Sequence, residues 1–172
     1  MPVSRDLFRA ISGSFPTGVL IVATLDEHGA PKGLTTQAYV GLSTEPPLVL
    51  VAIDKTSRTL RALEKHGAFV INFLKEGAED VATLFASKSD EKFTNLKWEA
   101  ATAAGGAPIL REISVAHAAC RVKETHEAGD HILFVASVEA GEARGGTPLM
   151  YYKRHYAGWP EEKPAPPVES TR

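Results

Sequence analysis

Cysteine is almost absent: Cys120 stands alone among 172 residues, so no disulfide can form within the chain. The residue lies in an apolar stretch and reads as part of the core of a protein kept in a reducing compartment. Apolar runs of membrane-spanning length are also missing. The N-terminal stretch MPVSRDLFRAISGSF has neither a basic region followed by an apolar one nor a small-residue cleavage site. A soluble cytoplasmic protein with no membrane partner is expected. Acidic and basic side chains nearly cancel, 21 against 19 for a net charge of −2, which gives no electrostatic basis for nucleic acid as the main partner.

Several motifs are lacking as well. Without G-x-G-x-x-G or G-x-x-x-x-G-K-[ST], any nucleotide must be held by something other than a dinucleotide fingerprint or a P-loop. Without G-x-S-x-G, no serine stands out as a hydrolytic nucleophile. The string His126-Glu127-Ala128-Gly129-Asp130-His131 resembles a zinc helix superficially. Its histidines are five residues apart, however, which puts them on different helical faces, and Gly129 favours a turn, so no metal site is expected. No internal repeat is visible.

What is present centres on residues 47–59, PLVLVAIDKTSRT. Leu48-Val49-Leu50-Val51-Ala52-Ile53 is a continuous apolar, β-branched run that reads as a strand buried on both faces. Asp54-Lys55-Thr56-Ser57-Arg58-Thr59 then gathers hydroxyls and two cations into one turn, and Leu60, Leu63 and Gly67 mark a short helix after it. Free N–H groups at a helix start, with nearby hydroxyl donors and cations, suit an anion such as a phosphate. The alternative is local: Thr56 or Ser57 caps the helix while Lys55 and Arg58 point into water.

Around this centre the chain reads as mostly β. A helix over residues 4–12, capped by Ser4 and stopped by Gly13, precedes a hairpin of residues 19–25 and 32–36. A strand at 39–43 leads through Pro46-Pro47 into the central strand. Further strands are expected at 68–74, 113–125, 131–142 and 149–153, with a helix at 79–87. The Ala/Gly-rich stretch 100–108 reads as an irregular loop. Residues 1–158 form one domain in this reading, and the Pro-rich tail 159–172 is expected to be disordered. Closure of six or more strands into an antiparallel barrel would remove exposed edges.

Two further segments carry candidate chemistry. Asp130-His131 begins a strand after a Gly-Asp turn, where the histidine could steer a planar ligand or could simply be half-buried beside a turn-stabilising Asp. Residues 32–39, Lys-Gly-Leu-Thr-Thr-Gln-Ala-Tyr, could hydrogen-bond the polar edge of a heteroaromatic ring, although Thr35 and Thr36 are also ordinary strand residues.

In order along the chain, these stretches resemble the flavin reductase-like family of FMN-binding split barrels, which includes reductase components of two-component flavin monooxygenases. The resemblance is carried by Phe15-Pro16-Thr17-Gly18-Val19, Gly33-Leu34-Thr35-Thr36, Ser43-x-x-Pro46-Pro47-Leu48-Val49 and Asp54-Lys55-x-Ser57-x-Thr59. Phe69-x-Ile71-Asn72, Gly129-Asp130-His131 and Pro148-Leu149-x-Tyr151 complete it.

The resemblance implies a mainly β fold with short helices, built as a six-stranded Greek-key split barrel, and a homodimer. It implies FMN, or FAD, as cofactor, NAD(P)H as co-substrate, and a flavin-dependent monooxygenase that receives reduced flavin. Lys55, Ser57, Arg58 and Thr59 would serve the flavin phosphate, while Thr35, Thr36, Gln37 and Ala38 would line the isoalloxazine ring with Thr17 nearby. Asp130 and His131 would place the nicotinamide against the flavin, His131 as a positioning residue, and Lys92-Phe93 matches a less constant position. Ala38 stands where many relatives carry serine. The alternative function is a flavin-binding electron carrier without NAD(P)H oxidase activity.

Overall fold

A computed structural model describes residues 1–160. Apart from Trp159 and Pro160, the expected disordered tail lies outside the described residues. The chain begins with α1 (Arg5–Ser12), whose start is fixed by the Ser4 hydroxyl accepting from the Leu7 amide at 3.2 Å. Next come β1 (Thr17–Gly18), the hairpin of β2 (Leu20–Leu25) and β3 (Pro31–Thr36), β4 (Tyr39–Thr44) and β5 (Pro47–Asp54). Then follow α2 (Leu60–His66), β6 (Ala68–Leu74), α3 (Glu79–Ala86), β7 (Glu99–Ala101) and β8 (Ala107–Ile109). The long strands β9 (Ser114–Ala128) and β10 (His131–Ala143) form a hairpin, and β11 (Leu149–Tyr152) and β12 (His155–Gly158) close the described chain.

Seven antiparallel strands make the main sheet, in the order β3-β2-β6-β9-β10-β5-β4. Its end strands β3 and β4 are consecutive in the chain, separated only by Gln37 and Ala38. Laid flat, seven strands would set those edges about 29 Å apart, whereas the link from Thr36 to Tyr39 spans at most about 11 Å. The sheet must therefore curl until its edges approach. Two contacts confirm the curl: Tyr39 on β4 meets Phe73 on β6 edge to face at 5.1 Å, and Val49, Val51 and Ile53 share one core with Leu20 and Val22.

In place of the expected six-stranded split barrel, closed or nearly closed, the main sheet has seven strands and curls without closing, its end strands β3 and β4 remaining unpaired across the 37–38 corner. Inside the curl, Phe69, Phe134, Ile53, Ile71 and Cys120 are fully buried, each large apolar side chain contributing about 1.5–3 kcal/mol. A second core packs the other face of β2 against α3 and Leu149.

Two local expectations need correction. β5 is not buried on both faces: Val49, Val51 and Ile53 point inward, while Leu48, Leu50 and Ala52 are half-exposed, the alternation of an antiparallel sheet covered on one side. The 100–108 stretch is not an irregular loop either. It folds as β7, a short 3-10 turn (Thr102–Ala104) and β8, with Ala101, Ala104 and Ala107 buried against Val70 and Ala119. Its alanines are small because the hairpin lies close against the sheet, and Gly105, at φ +63°, permits the tight reversal.

Candidate functional site

Where β5 ends, the chain folds over itself. The Asp54 carboxylate accepts from the Thr56 amide and hydroxyl, both at 2.7 Å, and these bonds hold it below the ordinary carboxylate range, helped by the nearby His131. Ser57 donates its amide to the Asp54 carbonyl at 2.9 Å, and its hydroxyl accepts from the Thr59 amide at 3.3 Å. The Ser57 oxygen is therefore used locally while its proton stays available to a ligand. Thr59 precedes α2 without a side-chain cap bond and is 4% exposed, facing a cleft of about 240 Å³.

The opposite wall of that cleft comes from the end of α3 and the loop after it: Phe85, Ala86, Ser87 and Lys88. Arg58 straps the two walls together, donating to the Lys88 carbonyl at 2.7 Å and to the Asp90 carboxylate at 3.0 Å. Lys92 closes one end by donating to the carbonyls of Phe85 at 2.8 Å and Gly33 at 3.1 Å. Burial pushes its ammonium below the ordinary lysine range, and Arg58 adds to the effect while Asp90 opposes it. Leu34 and Thr35 of β3 also line the cleft. A hollow of about 40 Å³ adjoins it, sharing Arg58, Thr59 and Lys92 and adding Phe93. The arrangement offers hydroxyl donors and cations to an anionic group, with apolar surface from Leu34 and Phe85 beside them.

At the lip of the cleft, β10 pairs with β5 so that His131 stands opposite Asp54, and the Lys55 amide donates to the Asp130 carbonyl at 2.9 Å. The His131 Nδ1 lies 2.7 Å from the Asp130 carboxylate, which fixes the ring and holds that carboxylate below its ordinary range.

The flavin reductase like domain family matches residues 12–160 of this sequence. The chain belongs to that family. It is 44% identical to a flavin reductase (NADH) from Kitasatospora aureofaciens over 163 residues, 94% of this chain and 85% of the relative. It is 38% identical to HsaB, a flavin-dependent monooxygenase reductase subunit from Rhodococcus jostii, over 92% of this chain and 80% of the relative. Among solved structures, the Streptomyces globisporus NADH:FAD oxidoreductase SgcE6, in complex with NAD and FAD fragments, is similar with a TM-score of 0.86. Identity is 26% over 94% of this chain and 96% of that one.

Within this flavin reductase like domain, the fold brings Thr35, Ser57, Arg58, Thr59 and Lys92 together around one cleft, with Phe93 at the adjoining hollow. The Thr35 hydroxyl is committed to the Ala82 carbonyl at 2.7 Å. Lys55 lies apart, its ammonium paired with Glu127 at 2.9 Å on the β9–β10 hairpin. Thr17 and Gln37 meet at the far end of β3, where the Thr17 hydroxyl donates to the Gln37 side chain at 3.0 Å and Gln37 faces a second cleft. Between the clefts, Ala38 donates its amide to the Thr36 hydroxyl and accepts from the Ala52 amide, both at 3.1 Å, so its backbone groups are satisfied internally. Sequence reading missed Phe85, Ser87, Lys88 and Asp90. A signal existed, since Ser87-Lys88-Ser89 repeats the hydroxyl and cation content of the 55–58 turn.

Proposed function

We propose that this protein is an NAD(P)H-dependent flavin reductase that transfers hydride from a nicotinamide to FMN, with FAD as the alternative acceptor. One observation carries the reading: in a chain of this family, a cleft lined by hydroxyls and cations lies beside the Asp130–His131 pair. The donor set fits a phosphate monoester. Ser57 keeps its hydroxyl proton free, the Thr59 hydroxyl makes no hydrogen bond among the described residues, and Lys88, Lys92 and Arg58 supply positive charge. A bound flavin supplies the hydride acceptor, at N5.

The protein's task is then orientation rather than proton transfer. Ser57, Arg58, Thr59 and Lys92 hold the phosphate end, with Phe93 beside them, and Thr17 and residues 35–38 border the ring. Ala38 offers no hydroxyl, and its amide is already engaged by Thr36. The ring of His131, oriented by Asp130, places the nicotinamide within hydride reach. Oxidised nicotinamide is one product. A flavin-dependent monooxygenase is the partner that draws on the other, as the name of the R. jostii relative suggests.

The curled sheet is the split barrel of this reading, and the protein works as a cytoplasmic homodimer. Support for the dimer comes from α1, whose Leu7, Phe8 and Ile11 are each half-exposed or more. Support for the compartment is the lone Cys120, which is buried and has no partner for a disulfide within the chain.

The test is to follow oxidation of NADH and of NADPH with FMN or FAD. Flavin-dependent oxidation is expected, and His131→Ala should lower turnover while sparing flavin affinity. A protein that binds flavin yet oxidises neither nicotinamide is an electron carrier, and the proposal fails.

A further inference from the structure

The loop that follows α3 braces itself. The Ser87 hydroxyl donates to the Leu84 carbonyl at 2.7 Å and accepts from the Ser89 amide at 3.1 Å, and the Ser89 hydroxyl accepts from the Glu91 amide at 3.1 Å. Two such serine turns in succession shape the loop locally. The ion pair of Arg58 with Asp90 is therefore not needed to form it, and with the side chains 60% and 85% exposed the pair adds little stability in water. Its position sets it apart. Arg58 reaches Lys88 and Asp90 from the opposite wall, at separations of 30 and 32 residues, and so lays a strap across the end of the first cleft.

The two sides of the strap differ. On one side the cleft, of about 240 Å³, offers Ser57, Thr59 and the Lys88 ammonium, which has no carboxylate partner among the described residues. On the other, the hollow measures about 40 Å³, against roughly 300 Å³ or more for pockets that enclose a drug-sized group. Its walls are fixed: Pro31 and Gly33 belong to β3, Phe93 packs edge to face on Phe85 at 4.9 Å, and Lys92 ties Phe85 to Gly33. Its cations are all engaged. Arg58 faces Asp90, Lys92 holds two carbonyls, and Lys32 lies 3.5 Å from Asp26. The Asp90 carboxylate itself lines the hollow and not the cleft. A phosphate that ends a ligand thus finds free donors and charge in the cleft. A second phosphate carried past the strap meets a carboxylate, and the nucleoside beyond it finds no room.

We infer that the Arg58–Asp90 strap selects FMN over FAD, with Asp90 as the specificity-determining residue. The inference rests on the reading of the first cleft as a flavin phosphate site and narrows its ligand to the mononucleotide. The strap stops the ligand at its first phosphate by bulk, and Asp90 opposes a second by like charge, so discrimination comes from a repulsive element as well as an attractive one.

The experiment titrates FMN and FAD into the full-length protein, followed by flavin fluorescence, for wild type, Asp90→Asn and Asp90→Ala. Wild type should bind FMN about tenfold or more tightly than FAD. Asp90→Ala opens the strap and removes the charge, so affinity for FAD should rise about tenfold and that for FMN by less. Asp90→Asn keeps a partner for Arg58 without the charge: a gain for FAD as large as that of Asp90→Ala assigns selection to repulsion, and a gain confined to Asp90→Ala assigns it to bulk. Because the loop is braced by its own serines, both variants should unfold at the wild-type temperature, which circular dichroism checks. Equal affinities of wild type for the two flavins, or a preference for FMN that both variants retain, overturn the inference. Binding of neither flavin to wild type refutes the reading of the cleft as a flavin site, and the inference falls with it.

Discussion

Ser57 concentrates the chemistry of the first cleft in a single hydroxyl, whose oxygen steadies the Thr59 amide while its proton is left free for a ligand. Ser57→Ala should weaken FMN binding by about 1.5–3 kcal/mol, the worth of one hydrogen bond to a charged group. Flavin titration measures it. Lys92 makes a separate prediction at this scale. Because its folded value lies below the ordinary 10.5, the unfolded chain binds more protons between those two values, so stability should rise with pH through that window. Denaturant titrations at increasing alkaline pH should show a gain for wild type that Lys92→Met lacks. Asp54 and Asp130, whose folded values are also lowered, give the same sign in the acid range. Their contributions are present above the ordinary 3.8 and are lost as the pH falls through their lowered folded values.

Among the elements, β3 and α3 decide whether the cleft has a wall. Gly33 has no side chain because Phe85 and Phe93, edge to face at 4.9 Å, occupy the space: a Cβ there would lie 2.8 Å from Phe85 and 3.2 Å from Phe93. Gly33→Ala should cost about 1–3 kcal/mol of stability, the usual range for overpacking, and should weaken flavin binding with it. Thermal unfolding and flavin titration check the two effects together.

The hairpins of β2–β3 and β9–β10 and the turn after β5 were legible in sequence, because apolar runs bounded by Gly, Asp and Pro are local signals. The strap from Arg58 to Asp90 was not, since it joins residues whose proximity depends on where α3 docks. Nor was the β7–β8 hairpin, whose buried alanines look like loop composition until the sheet beneath them is known. Motif order drew together Thr35, Ser57, Arg58, Thr59 and Lys92, which the fold places around one cleft, but it grouped Lys55 with Arg58 although Lys55 pairs with Glu127 away from that cleft.

For the whole molecule, curling of the main sheet brings β3 alongside the turn after β5 and so assembles the first cleft from segments distant in sequence. The same fold leaves α1 with Leu7, Phe8 and Ile11 uncovered, and each such side chain is worth about 1.5–3 kcal/mol when fully buried. A double change, Phe8→Glu with Ile11→Glu, should shift a dimer toward monomer in sedimentation. A wild-type protein that sediments as a monomer would remove the dimer from the account.

If the first cleft holds a flavin by its phosphate, affinity should depend on that phosphate. The most direct measurement compares the affinity of the protein for FMN with that for riboflavin, which has the same ring and no phosphate. The account predicts that FMN binds about tenfold or more tightly, the equivalent of at least ~1.4 kcal/mol, and that Ser57→Ala removes much of the difference. Equal affinities for the two flavins would contradict it.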